Sequence, residues 1–355
     1  MFRKFSQTKI LATVVGAISL VAMPALGGYL PNGYDLGLVK SESGLVNAAA
    51  SVQANGLWGS YTKGTEKTTS FTIPSCQTVN YARLYLDVYG ATPYYSGQVT
   101  ATLNGTALPT LTIGGTGAPS PGMPGDGNPA NRDPNTTCVY GSGYAFWQIA
   151  YAGIAPLLKT DGTANTLAFT ITDPTGSGFD GRQYGATLAA VYTDPSIQQA
   201  LDYQLFEGDV YLRSTAGSTP PNPAIKLTSS LSITGVNTSD VTSATYTAGY
   251  ATGHNGKSDQ VFFNGTSLGQ AAGLGNDVAR FDSNVELRGF DVAGSLLATN
   301  DVSYSIDTSV LGGAADTPLH LTTGMLTVTH SVPEPASLCL VGLGGLLLMR
   351  RRPRV

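Results

Sequence analysis

Asn-Gly occurs twice between strand-like segments, as Leu103-Asn104-Gly105-Thr106 and as Phe263-Asn264-Gly265-Thr266. Two successive residues that tolerate positive φ are what a type I′ hairpin requires, so at both places the chain is expected to reverse between antiparallel strands. The flanking sequence agrees. Apolar and polar residues alternate in Ala82-Arg83-Leu84-Tyr85-Leu86-Asp87-Val88-Tyr89, in Gln98 to Leu103, in Thr166 to Thr172 and in Leu326 to Thr329, the period of half-buried strands. Gly, Pro, Asn and Asp punctuate these runs at short intervals, as in sandwiches and jelly rolls. Only Ser196 to Leu205 reads as a short helix.

The two turns look like one turn repeated. Phe71-Thr72-Ile73 and Leu231-Ser232-Ile233 precede alternating segments that begin at Ala82 and Ala244, and Asn165 to Asp173 parallels Asn300 to Asp307. Terminal strands follow at 186–192 and 324–329. The distance from turn to next match is 61 residues in the first copy and 36 in the second. The surplus of 25 is close to the Gly/Pro/Asp-rich stretch 114–140, which reads as a loop insertion. The expected fold is therefore all-β, with two tandem jelly-roll-like β-sandwich modules. Module 1 covers 56–213 and module 2 covers 222–330, joined by a Pro/Gly/Ser-containing linker at 214–223, with 28–55 as an N-terminal extension.

Both ends carry export signals. Arg3, Lys4 and Lys9 precede an apolar stretch from Ile10 to Val21 and then the small residues Ala25 and Gly27, the pattern of a signal helix cleaved after residue 27; an uncleaved signal anchor is the alternative. At the other end Val332-Pro333-Glu334-Pro335 leads into the apolar run 336–349 and then Arg350, Arg351, Arg352 and Arg354. As a helix that run spans roughly 21 Å against a hydrocarbon core of ~30 Å, so it is a poor permanent anchor. The order of PEP, short apolar helix and arginines, over 331–355, resembles the PEP-CTERM sorting signal. That resemblance implies recognition by an exosortase, a membrane-embedded cysteine transpeptidase, after passage through the secretion machinery. It implies transient anchoring in the inner membrane and then delivery to the cell surface or extracellular matrix. A permanent tail anchor is the alternative.

Seven of the 19 basic residues lie in the two signals but only one of the 23 acids, which leaves 12 bases against 22 acids in the mature segment. Such a surface argues against nucleic acid as a partner. With Cys339 in the sorting helix, Cys76 and Cys138 remain as a disulfide candidate in an oxidising compartment, two free buried thiols being the alternative.

The region from about 60 to 330 resembles a family of uncharacterised paired β-domains of methanogen and bacterial surface proteins. Its carriers are the two Asn-Gly-Thr turns, the run Tyr184 to Pro195, Tyr203, and Glu207-Gly208-Asp209. The resemblance implies a surface β-protein and brings no catalytic residue. The residues themselves offer no nucleophile elbow, phosphate loop or zinc-binding helix, and none of His254, His320 and His330 stands in a catalytic context. No catalytic residue is therefore expected. Two features could serve a ligand. Asp126, Asn128, Asn131 and Asp133 put four oxygen donors within eight residues, a set calcium accepts, although Arg132 lies among them and no bidentate Glu follows; Asp173 and Asp180 form a second such candidate. Tyr94, Tyr95, Tyr140, Tyr144 and Trp147 could stack on sugar rings such as those of an exopolysaccharide, or fill the core. Apart from calcium, no cofactor is expected. The sequence thus points to an exported structural or adhesion protein of the surface, matrix or biofilm, with a carbohydrate-binding module and a secreted hydrolase as the alternatives.

Overall fold

The structure is a computed structural model that describes residues 33–57, 63–91, 95–113, 136–141, 144–212, 228–253, 259–270, 282–306 and 319–332. These residues are mostly strand, arranged in four antiparallel sheets. The N-terminal signal, the sorting signal beyond residue 332 and the linker 214–223 lie outside them, as does most of the insertion. Among the described residues no helix is long and apolar enough to cross a membrane.

A first outer sheet holds β3 (Lys67–Phe71), β10 (Asn165–Thr172), β5 (Gly97–Leu103) and β6 (Thr106–Ala107), with β7 (Leu111–Ile113) also on β5. A first inner sheet runs in the order β2 (Ala48–Gly56), β11 (Arg182–Thr193), β4 (Thr78–Ala91), β9 (Tyr144–Tyr151), β8 (Thr136–Gly141). Between them lies a core that includes Phe71, Val99, Leu167 and Phe169 from the outer sheet and Leu84, Leu86, Trp147 and Leu188 from the inner one. The second inner sheet has the order β1 (Gly33–Val46), β12 (Gln199–Leu212), β19 (Leu319–Ser331), β14 (Val241–Gly253), β17 (Asp282–Asp291). The second outer sheet has β13 (Thr228–Thr234), β18 (Thr299–Ile306), β15 (Asp259–Phe263) and β16 (Thr266–Gln270). Ile233, Phe263, Val302, Phe206, Tyr246 and Leu326 belong to the core between these two.

The two inner sheets also pack against each other. Ala48, Ala189 and Val191 meet Leu201, Tyr203, Leu205 and Met325 at one end of the contact, and Phe146 and Tyr184 meet Tyr211, Ala251 and Val285 elsewhere. Outer strands such as β13 accordingly alternate between buried and exposed residues, whereas β11 is buried at ten consecutive positions. Strands covered on both faces lose the period-2 signature.

Strand register reveals the repeat residue by residue. Asn165 pairs with Phe71 as Asn300 pairs with Ile233, and Leu167 pairs with Leu103 as Val302 pairs with Phe263. Ala190 pairs with Ala82 as Val328 pairs with Ala244, and Leu188 pairs with Gln53 as Leu326 pairs with Gln204. Both Asn-Gly turns have positive φ at both residues and close two-residue hairpins. Phe71 is thus equivalent to Ile233 rather than to Leu231, a shift of two that keeps the same face inward.

Three sequence expectations are corrected. Ser196 to Leu205 is not helical: Gln199 onward forms β12, because β1 and β19 supply ladder partners on both sides. The boundary expected at 213 is displaced, since β12 is the counterpart of β2 and hydrogen-bonds into the second inner sheet. Finally, 28–55 is not a mere extension. β1 joins the second inner sheet and, after a turn at Asn47 (φ 57°), β2 joins the first. The crossing from β11 to β12 runs beside that turn, tied by Asn47 N to Gln199 O (2.8 Å) and Asp194 N to Asn47 O (2.9 Å).

Candidate functional site

Polar side chains collect where the inner sheets meet. Arg83 on β4 reaches Glu207 on β12 through Nε to Oε2 (2.5 Å) and NH2 to Oε1 (2.6 Å), a bidentate ion pair with both side chains largely buried. Asp87, two pleats along β4, and Asp209 on β12 are completely buried. Both Asp87 oxygens and Oδ2 of Asp209 lack a hydrogen-bond partner, as do the buried hydroxyls of Tyr85, Thr187, Thr322 and Thr323. Gln148 is the cross-strand neighbour of Asp87 and lies close enough to favour its ionised form somewhat, but its amide donates to Thr322 O (3.0 Å). Burial dominates and raises Asp87 well above the usual carboxylate range; Asp209 rises for the same reason and because Asp87 is near. His320 Nδ1 lies 3.3 Å from Asp209 Oδ1, with the ring stacked on Phe146 (4.2 Å between centroids) and edge-on to Tyr211. Burial lowers its pKa to about 3. Burial thus disfavours the charged forms of Asp87, Asp209 and His320, leaves Arg83–Glu207 as the bidentate ion pair of this layer, and keeps Asp87 and Asp209 out of contact with solvent.

An open cleft of about 190 Å³ lies at the edge of the second inner sheet, where β1, β12 and the end of β13 converge. Val236, Leu326 and Val328 are among the residues that line it, with Ser41, Glu42, Asp202 and Gln204; by register Asp202 and Gln204 share the face of Val328 and Leu326, whereas Glu42 shares that of Tyr203. β1 is irregular here, with register shifts between Leu38 and Lys40 and between Glu42 and Leu45. Within the second shift Gly44, at φ 70°, turns its N–H onto Asp202 Oδ1 (2.6 Å). Asp202 Oδ2 lies 3.2 Å from His330 Nε2 without hydrogen-bond alignment, and His330 Nδ1 faces Ser239 O at 2.8 Å. Tyr203 OH and Lys40 Nζ both approach Glu42 Oε2, at 3.4 and 3.5 Å.

The sequence-predicted residues fall elsewhere. Trp147 is fully buried in the first core, so close over Gly90 that a Cβ there would lie 2.5 Å from its Nε1; it is no stacking platform. Tyr95 is half-buried against the same core. Tyr140 and Tyr144 lie on β8 and β9, while Tyr94 and the calcium candidates Asp126, Asn128, Asn131 and Asp133 lie outside the described residues, as does His254. The Asp173 carboxylate is engaged by the chain's own donors: it accepts from Ser177 N, Gly178 N, Phe179 N and Lys63 Nζ. Burial opposes its ionisation, but these donors outweigh it and hold the carboxyl well below the usual range. Asp180 is taken by Arg182. No group of three or more His, Cys, Asp or Glu among the described residues is arranged to hold a metal.

The expected disulfide does not form, because Cys76 is a buried free thiol. Cys138 is level with Trp147 and hence with Val88 on β4, whereas Cys76 precedes Thr78 at the other end of that strand. The two lie about 30 Å apart along the sheet, far beyond the ~7 Å that a bridge allows between Cα atoms. The sequence gives no sign that Asp87, Asp202 and Asp209 are buried, or that His320 and His330 stand opposite Asp209 and Asp202. The available signal is the acid within the alternating run 82–89, which a second layer over that face turns inward.

Solved structures resemble the chain only loosely. PNGase F, a glycosylasparaginase from Flavobacterium meningosepticum, aligns over 81% of this chain and 97% of its own at 11% identity and a TM-score of 0.27. A β-porphyranase of glycoside hydrolase family 86 from Bacteroides plebeius aligns over 86% and 38% at 10% identity and 0.24. The tandem CBM51 modules of a family 98 glycoside hydrolase from Streptococcus pneumoniae align over 73% and 80% at 7% identity and 0.21. Likeness at this level carries no argument about activity. No curated protein matches the chain. A PEP-CTERM protein-sorting motif matches residues 331–354, which implies a secreted protein sorted by an exosortase. The model of the "protein of unknown function" family DUF3344 matches residues 34–329, and the chain belongs to that family.

Proposed function

We propose that the protein is a structural or adhesive component of the cell surface or extracellular matrix, built as two β-sandwich modules and working without catalysis. The observation that carries this reading is the position of the sorting motif. It begins at residue 331, where β19 ends at Ser331. β19 is a central strand, bonded on both sides, so a cut beyond Val332 removes the motif and leaves the sheet whole. The buried acids support a non-catalytic role, because a general acid or base has to reach the atom it protonates. Exosortase processing is tested by mapping the C-terminal peptide of surface-exposed protein from the native host by mass spectrometry. An end near Pro333 to Pro335 is expected. A peptide retaining Arg350 to Val355 would overturn surface delivery.

A further inference from the structure

The two halves are duplicates, and they differ at one edge. Gln53 on β2 corresponds to Gln204 on β12: each stands beside an equivalent leucine, Leu188 or Leu326, and each donates from Nε2 to a threonine carbonyl, Thr72 O (2.6 Å) or Thr234 O (2.9 Å). On its far side β12 is covered by an antiparallel strand, β1, which pairs Glu42 with Tyr203 and Lys40 with Leu205. Tyr203 and Leu205 are the equivalents of Val52 and Ala54 on β2. There the first inner sheet ends, and no described strand takes the place that β1 has in the second.

Backbone hydrogen bonds fix which groups that edge presents. Leu57 N donates to Tyr184 O and Asp194 N to Asn47 O, both at 2.9 Å, and the register between them runs without a shift. Bonded pairs in an antiparallel ladder recur at every second residue, so Ala49, Ser51, Gln53 and Asn55 bond β11, whereas the N–H and C=O groups of Ala50, Val52 and Ala54 point away from it. Among the described residues no backbone hydrogen bond reaches those outward groups. Open edges are ordinarily guarded by charge, proline, a bulge or shortness. β1 carries Asp35, Lys40 and Glu42 and is irregular, β17 carries Asp282, Glu286, Arg288 and Asp291, and the uncharged edges β8 and β13 are shorter and lie against β1. β2 is nine residues long, regular, uncharged and free of proline. A strand that fits it is antiparallel, as β1 is at the equivalent edge, and brings no charge to the small side chains around Val52; β2 of a second copy meets both conditions. A two-fold axis beside Val52 sets Ala50 of one copy opposite Ala54 of the other, so the outward groups satisfy one another. We propose that two copies of the mature chain associate by antiparallel pairing of β2 with β2, which joins their first inner sheets into one.

The pairing rests on β2 and stands whether or not the sorting motif is cut. The test is sedimentation velocity of the purified mature chain over a range of concentrations, with hydrogen–deuterium exchange of peptides covering 48–56 at the lowest and the highest. A monomer–dimer equilibrium is expected, with exchange in this stretch slowed about tenfold or more at the high concentration. Val52→Pro removes an outward N–H and leaves the ladder to β11 intact, so it should weaken dimerisation about tenfold or more. Ser51→Lys puts a charge on the edge and should do the same. Each variant is read only if its melting temperature in dilute solution matches that of the parent chain, and the exchange measurement decides if neither does. A chain that stays monomeric at about 1 mM would overturn the proposal. So would a dimer whose β2 amides exchange as fast as the monomer's, or one that both folded variants leave unchanged. Amides already protected in the dilute monomer would overturn it too, since the edge would then be covered within one chain.

Discussion

Asn104 Nδ2 donates to Asn165 Oδ1 at 2.8 Å, and the relationship recurs between Asn264 and Asn300 at 2.9 Å. Each turn asparagine uses its whole side chain. Asn104 Nδ2 also donates to Leu157 O, and its Oδ1 accepts from Thr166 N; Asn264 does the same with Ser295 O and Asp301 N. The partners Asn165 and Asn300 are fully buried. One residue type therefore provides the left-handed backbone of the hairpin and the clamp that holds the next outer strand.

Replacing Asn104 or Asn264 by Ala should cost about 2–4 kcal/mol, because three hydrogen bonds are lost and Ala is strained at positive φ. Gly at the same positions should cost less, since it keeps the turn and loses only the clamp. Urea unfolding of the four variants checks this. The clamp would be refuted if the Ala and Gly variants both unfolded within about 0.5 kcal/mol of the parent protein.

Buried neutral acids make stability depend on pH. Asp87 and Asp209 have folded pKa values raised by burial, so folding retains protons that the unfolded chain releases above about pH 4. Their contribution is complete below that pH and is lost as pH rises through the folded values. His320 acts in the opposite sense: its folded value is about 3, so its contribution is present above ~6.5 and is lost on acidification below that. Two acids outweigh one histidine, and stability should fall between pH 5 and pH 8 by up to ~1.4 kcal/mol per pH unit for each net proton. Asp87→Asn should flatten the slope by about one proton and raise stability at pH 8. An unfolding midpoint independent of pH across this window would show that the acids are not held neutral.

Arg83 and Glu207 form the charged bridge between the inner sheets. Removing one partner, as in Glu207→Ala, leaves an uncompensated charge in a largely buried layer and should cost about 3–5 kcal/mol. The double variant Arg83→Met with Glu207→Leu should recover most of that loss, because the pair's attraction mainly offsets its own desolvation. Chemical denaturation of the three proteins distinguishes the cases; a double variant as unstable as the single one would mean that the pair contributes well beyond its charge balance.

What the sequence made legible follows from which strands have one wet face. The outer strands alternate, so β5 and β10 and both Asn-Gly hairpins could be read directly, and the offsets of 61 and 36 residues matched the two asparagine clamps. β12 misled because both of its faces are covered. With the period-2 pattern gone, Gln199 to Leu205 resembled a short helix, and the boundary between repeats was placed one strand too late. The packing of one inner sheet on the other was invisible for the same reason: Asp87 occupies the polar phase of a normal alternation, and only the second layer over it makes that phase an interior.

The fate of the two mature-chain cysteines gives a last check on the sheet order. The thiol of Cys76 is buried and its pKa raised, by burial first and then by the nearby Asp194 carboxylate, so thiolate chemistry at this position is suppressed. Cys138 sits some ten residues farther along the sheet, on the edge strand β8. Protein purified without reductant from an oxidising compartment should therefore show two titratable thiols per mature chain once unfolded in guanidinium. In the native state Cys76 should react many times more slowly than after unfolding. Reductant should leave the melting temperature unchanged, whereas loss of a 60-residue disulfide loop would lower stability by up to ~4 kcal/mol. A monomeric chain free of mixed disulfides that yields no thiol until reduced would require residues 76 and 138 to be neighbours, and the order β2-β11-β4-β9-β8 with Cys138 level with Val88 would have to be abandoned.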